Sequence, residues 1–77
     1  NPFNPITKIT FCIKANGLYT LKIFNLLGQE VETLFEKDLK PGFFSLDWNA
    51  AKSSSGIYFY TLESGNFKDV KKMVLLK

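Results

Sequence analysis

The sequence predicts an all-β fold, an antiparallel sandwich of about six or seven strands in two facing sheets. Three observations lead there. Turn signals recur at intervals of about eight to twelve residues, the spacing of short antiparallel strands. Between them apolar residues alternate with polar ones, and no long stretch keeps the helical period. Finally, 16% of the chain is aromatic, with Phe at eight positions, and that much ring area suits a small all-β core.

With 77 residues the chain has room for one domain. A domain this small buries only roughly 60–65% of the surface that its unfolded chain exposes, so marginal stability is expected. Cys12 is the sole cysteine, which rules out an internal disulfide. Between Phe11 and Ile13 it reads as an ordinary strand residue, a buried or half-buried structural thiol. A reactive thiol needs a base or a helix N-terminus beside it, and the chain has no histidine.

At the start of the chain, Asn1-Pro2-Phe3-Asn4-Pro5 is an extended strap, because each proline removes a ladder donor and holds its predecessor extended. Phe3 is its apolar anchor, and the abrupt start suggests a segment cut from a longer protein. From Ile6 to Lys14, Ile9, Phe11 and Ile13 alternate with Lys8, Thr10, Cys12 and Lys14, a half-buried strand with odd positions inward. Asn16-Gly17 is a hairpin signal, followed by a strand in the same phase through Tyr19, Leu21 and Ile23. Asn25 to Gly28 closes it, with Gly28 at positive φ.

In the run from Gln29 to Lys37, Val31 and Leu34 stand three apart. That spacing breaks a period of two and predicts a bulge or kink. A short helix competes there, but Val31, Thr33 and Phe35 favour a strand, with Glu30, Glu32 and Glu36 on its solvent face. Pro41-Gly42 fits the centre of a type II bend. Phe44, Leu46 and Trp48 then alternate with Ser45 and Asp47, and residues 49–55 form a polar loop.

The last stretch, Gly56 to Lys77, is the best defined. Two runs rich in β-branched and aromatic residues, Ile57 to Leu62 and Phe67 to Leu76, flank Glu63-Ser64-Gly65-Asn66, which predicts a hairpin. A chain stopping just after the second run should have its terminus pinned in a sheet. Two registers are open. A two-residue Gly65-Asn66 turn sets Tyr60 opposite Lys71 and Tyr58 opposite Met73. A four-residue loop sets Leu62 opposite Phe67 and Phe59 opposite Val70, and it is preferred because it pairs apolar with apolar. Either Met73 and Leu75 or Val74 and Leu76 face outward.

Catalysis finds little material. Without histidine, and with one isolated thiol, the nucleophile–base pairs of hydrolases are missing, and the spacing singles out no two of the carboxylates. No catalytic, cofactor or metal site is expected. Asp47-x-Asn49 offers two oxygens where calcium takes about six or more, and it reads as a turn. The net charge of +3 is carried by lysine without arginine, a solvated face rather than a nucleic-acid reader. No apolar run approaches the roughly 20 residues of a membrane span, and no signal peptide is visible.

Four blocks of residues resemble one family in order along the whole chain. The opening Asn1-Pro2-Phe3-Asn4-Pro5 resembles the second half of its opening motif, without the Tyr-Pro-Asn portion that precedes it. Leu21 to Val31, LKIFNLLGQEV, resembles the central block, with Phe24 where tyrosine is common, and Trp48 sits where the family often has tryptophan. Ser55-Gly56-Ile57-Tyr58-Phe59-Tyr60 and Lys71-Lys72-Met73-Val74-Leu75-Leu76-Lys77 are similar to the terminal blocks. The family is the C-terminal sorting domain of the bacterial type IX secretion system.

The resemblance implies an Ig-like β-sandwich at the tail of a larger secreted protein, a signal and not a catalyst. Its partners would be the N-terminal cargo domain of the same chain and the type IX machinery: outer-membrane translocon, shuttle and sortase-like protease. Passage through the periplasm, delivery to the cell surface or medium, and removal of the domain as the cargo is anchored to lipopolysaccharide are implied with it. The residues expected to meet the translocon are Gly56, Tyr58, Tyr60, Lys71, Lys72, Met73, Val74, Leu75, Leu76 and Lys77. The alternative is a structural Ig-like module without an export role, such as the related sandwich of the flagellar hook-capping protein. A bare edge strand would also permit an edge-to-edge dimer.

Overall fold

Six strands and no helix make up residues 6–76, the part of the chain that the computed structural model describes. The expected strap at residues 1–5 and the terminal Lys77 lie outside the described residues. The strands are β1 (Ile6–Ile13), β2 (Gly17–Asn25), β3 (Glu30–Leu39), β4 (Gly42–Asn49), β5 (Gly56–Ser64) and β6 (Phe67–Leu75). Every pairing is antiparallel. β1 and β4 form a two-stranded sheet, and the other four form a second sheet in the order β3-β2-β5-β6. The fold is a small antiparallel sandwich, as the turn spacing and alternation predict, and it is consistent with the Ig-like form that the family resemblance implies.

Alternation decides which faces meet. Ile9 and Ile13 of β1 and Trp48 of β4 turn toward Tyr19, Leu21 and Ile23 of β2, Tyr58 and Leu62 of β5, and Leu75 of β6, and all are buried. Trp48 packs edge-on to Tyr58, with ring centroids 5.5 Å apart. Phe11 crosses the same gap to Phe35 at 5.6 Å. Ring pairs of this kind contribute about 0.5–1.5 kcal/mol beyond the area that they bury. The even-numbered residues of β1 face away from this core. Cys12 goes with them and is exposed, not the buried or half-buried thiol expected. Its apolar neighbours point to the opposite face, so in a period-two strand they say nothing about its burial.

The expected kink in β3 is present, and it is double. The β2–β3 register shifts between Leu21 and Lys22 and again between Ile23 and Phe24, leaving Leu34 and Val31 without a partner on β2. Each extra residue inverts the facing of the strand beyond it. Phe35 opposes Leu21, whereas Glu32 opposes Ile23. Glu32 was expected on the solvent face with Glu30 and Glu36. It is solvent-exposed, but its carboxylate accepts a hydrogen bond from Trp48 Nε1 at 3.2 Å.

Two connections differ from the sequence expectation. Asn16-Gly17 is not a hairpin turn, since β1 pairs with β4 and β2 pairs with β3 and β5. The segment carries the chain from one sheet to the other, and Tyr19 Oη secures it by donating to the Ala15 carbonyl at 2.8 Å. Pro41-Gly42 is likewise a crossing between sheets. Gly42 has φ +154°, far from the value of about +80° that a type II turn requires there. Both dipeptides bend the chain, but the apolar faces choose the partner.

The β2–β3 turn is as expected, with Gly28 at φ +84°. Asn25 organises it: Oδ1 accepts from the Leu27 and Gln29 amides, each at 3.0 Å. Residues 50–55 form a loop, at whose start Asn49 Oδ1, at the end of β4, accepts from the Ala51 amide at 3.0 Å. Asn49 therefore shapes a turn there.

Candidate recognition surface on the last hairpin

β5 and β6 form an unbroken hairpin in which Ser64 opposes Phe67, Tyr60 opposes Lys71 and Tyr58 opposes Met73. This is the two-residue turn, and the preferred four-residue loop is overturned. Gly65 has φ +56°, while no non-glycine residue has positive φ among the described residues. Positive φ at the first central position alone fits a type II′ turn, whose twist matches the flanking strands. A count of apolar pairs misses that a glycine placed first in the turn fixes the register more strongly than any one side-chain pair.

The register sorts the expected recognition residues onto two faces. On the inner face Tyr58 is buried, and its Oη donates to the Ser54 carbonyl at 2.7 Å. Leu75 is buried, Met73 and Tyr60 are half-buried, and Lys71 is exposed beside Tyr60. Gly56 opens β5 opposite Leu75, with open space where a Cβ would stand. On the outer face stand Lys72 and Val74, both exposed. Val74 is 58% exposed and Leu76, just past β6, is 75% exposed, against 5% for Leu75. The terminal residues therefore split by parity, and Val74 and Leu76 are the outward pair.

Sequence reasoning missed how far that outer face extends. Phe24, Phe59 and Lys72 lie in one cross-strand row, Ile57 and Val74 in another, and Lys22, Thr61 and Val70 in a third. Val70 is 51% exposed. A shallow depression of about 310 Å³ runs beside Phe24, Phe59 and Val70 toward Leu26 at the β2–β3 turn. The signal was present in Gly56 to Leu62, which is apolar at both parities. Such a run belongs to a strand covered on both faces, yet among the described residues only the inner face of β5 has a sheet packed on it. Contiguous exposed apolar surface of this kind marks an interaction site.

The surface is basic at its rim. Lys68 and Lys72 flank the apolar rows, and Lys22 Nζ lies 3.6 Å from Glu30. Among the described residues no three histidine, cysteine or carboxylate side chains gather where they could hold a metal ion. No helix of the described residues is long and apolar enough to cross a membrane.

No curated protein and no solved structure matches the chain. The model of the secretion system C-terminal sorting domain matches residues 1–76. An all-β sandwich whose last hairpin presents an uncovered apolar face suits a module that is gripped by other proteins, and the chain belongs to the family of type IX secretion C-terminal sorting domains.

Proposed function

We propose that residues 1–77 are one domain at the C-terminal end of a larger secreted protein, that it directs the preceding cargo across the outer membrane, and that it catalyses nothing itself. The observation that carries this reading is the family match along residues 1–76. The machinery that it meets comprises an outer-membrane translocon, a shuttle and a sortase-like protease. The route passes through the periplasm and ends at the cell surface or in the medium.

Within the domain, the recognised surface is the outer face of the last hairpin: Val70, Lys72, Val74 and Leu76, backed by Ile57 and Phe59. Three facts support that placement. These side chains are exposed or half-buried, no other strand of the described residues packs over them, and β6 is an edge of its sheet. Tyr58 and Leu75, by contrast, are core residues and act by holding the hairpin in place.

Removal of Lys72 to Lys77 tests the export role. The cargo then accumulates in the periplasm, folded, and normal surface delivery by the truncated protein would sink the reading. Because the truncation also removes Leu75 from the core, the double variant Val74→Asp/Leu76→Asp is the cleaner test. It changes two exposed positions, leaves the fold intact by thermal melting, and reduces export.

A further inference from the structure

The two sheets differ in breadth, and the difference leaves a seam open. At about 4.8 Å per strand, the β1–β4 pair spans about half the breadth of the four-stranded sheet beneath it. On the side of β1 away from β4 lies a groove of about 470 Å³, to which no β4 residue contributes, and ligand sites have about this size. Consecutive residues of β1, Thr10, Phe11 and Cys12, form one wall, and consecutive residues of β6, Phe67, Lys68 and Asp69, form the other. Neighbours of opposite facing line a groove together only where a strand presents its edge. Among the described residues both edges are unpaired in their sheets. Tyr19, Tyr60 and Leu62 form the floor.

We propose that this seam receives an extended strand of a partner protein, apolar at alternate positions and acidic at those between, which pairs with β1 and completes the smaller sheet. The free β1 edge offers main-chain donors and acceptors over Thr10 to Lys14, a length of about five residues or about 17 Å. Side chains of one parity drop onto Phe67, Tyr60 and Leu62. Those of the other parity meet the rim, where Lys14, Lys68 and Lys71 stand against Asp69 alone. None of these lysines is in an ion pair among the described residues. Charge thus selects the occupant: a lysine-bearing strand meets repulsion, and an acidic one meets three free partners. A second copy is a poor fit, because β1 carries Lys8 and no carboxylate, so β1-to-β1 pairing brings lysine-bearing edges together. The proposal adds to the sorting reading a second kind of contact with protein partners, but the binding that it predicts is independent of export.

The test uses the 77-residue chain and a capped peptide of about nine residues, valine alternating with glutamate, a usual strand length. Amide chemical shifts of the domain are followed during titration. The expected result is a saturable shift confined to Thr10–Lys14 and Phe67–Lys71. A valine–lysine peptide binds weaker by at least about tenfold, and Phe67→Ala weakens the glutamate peptide by a similar factor. Lys68→Glu/Lys71→Glu reverses the preference between the two peptides. Phe67, Lys68 and Lys71 are exposed, so these variants retain the fold, which an unchanged amide spectrum elsewhere verifies. The proposal is overturned by no saturable shift at millimolar peptide, by equal binding of the lysine peptide, or by shifts centred on Ile57 and Val74. It is also overturned if inorganic phosphate alone reproduces the groove shifts, or if the perturbation is concentration-dependent self-association without peptide. Export of the cargo by Phe67→Ala is scored separately, so loss of peptide binding and loss of sorting are read independently.

Discussion

The two edges of the four-stranded sheet are built on opposite plans. β3 carries four carboxylates and one lysine, whereas β6 carries three lysines and one carboxylate. β3 is broken twice by register shifts, while β6 keeps one register with β5 from Gly56 to Ser64. Bulges twist an edge away from intruding strands, and charge blunts it. β3 has both defences and β6 has only lysines, which repel another basic strand but admit an acidic one. One edge is guarded by bulges and charge, the other by charge alone.

Substitutions on β6, in the two turns and on β3 test this difference between the edges. Leu75→Ala removes a core side chain from β6 and should cost about 2–5 kcal/mol. In a domain of this size each kcal/mol lowers the melting temperature by about 4–8 °C. Val74→Ser, one residue away on the outer face, should stay within about 0.5 kcal/mol. Similar losses at both positions would mean that β6 is covered on both faces. Next come the two turns. Gly28→Ala and Gly65→Ala each force a side chain to positive φ and should cost about 1–2 kcal/mol. Both sites have open space for the methyl group, so the penalty is in the backbone, and chemical denaturation should show two nearly equal losses.

Glu32→Ala tests the consequence of the β3 bulges. It leaves Trp48 Nε1 without its carboxylate and should cost about 1 kcal/mol, the low end for an orphaned donor because water can reach the position. Glu30→Ala on the same strand removes the exposed pair with Lys22 and the exposed hydrogen bond from Thr33. It should cost about 0.2–1 kcal/mol and less in high salt. A larger loss at Glu30 than at Glu32 would show that the bulges do not set which carboxylate serves the core.

The strands were legible because their signal is local. Alternation around Ile9, Leu21 and Trp48 gives both the strand and its inward face, and three-residue spacing of Val31 and Leu34 gives the irregularity in β3. Sheet partners were not legible at Asn16-Gly17, since a two-residue bend serves equally in a hairpin or in a crossing between layers. The choice is made by burial of β1 against β4, many residues away. Cys12 was misjudged because apolar neighbours do not report the burial of the strand residue between them, whereas Glu32 is exposed as expected and only its bond with Trp48, set by the register shifts in β3, was not legible. On the candidate surface, either register puts Val74 and Leu76 on one face of β6, and their exposure depended on which face of β5 meets the other sheet, a matter of long-range packing. The apolar outer face of β5 was written in Ile57 and Phe59 but read only as core.

In the proposed reading the outer face of the last hairpin is what the export machinery reads, while its inner face only holds it in position. The direct measurement is the surface-delivered fraction of a foreign periplasmic reporter fused ahead of residues 1–77 in a bacterium with an active type IX system. The unaltered fusion should reach the surface. The Val74→Asp/Leu76→Asp fusion, with an unchanged melting temperature, should remain in the periplasm. Equal delivery of both fusions would contradict the claim for this face, and failure of the unaltered fusion to leave the periplasm would contradict the sorting role itself.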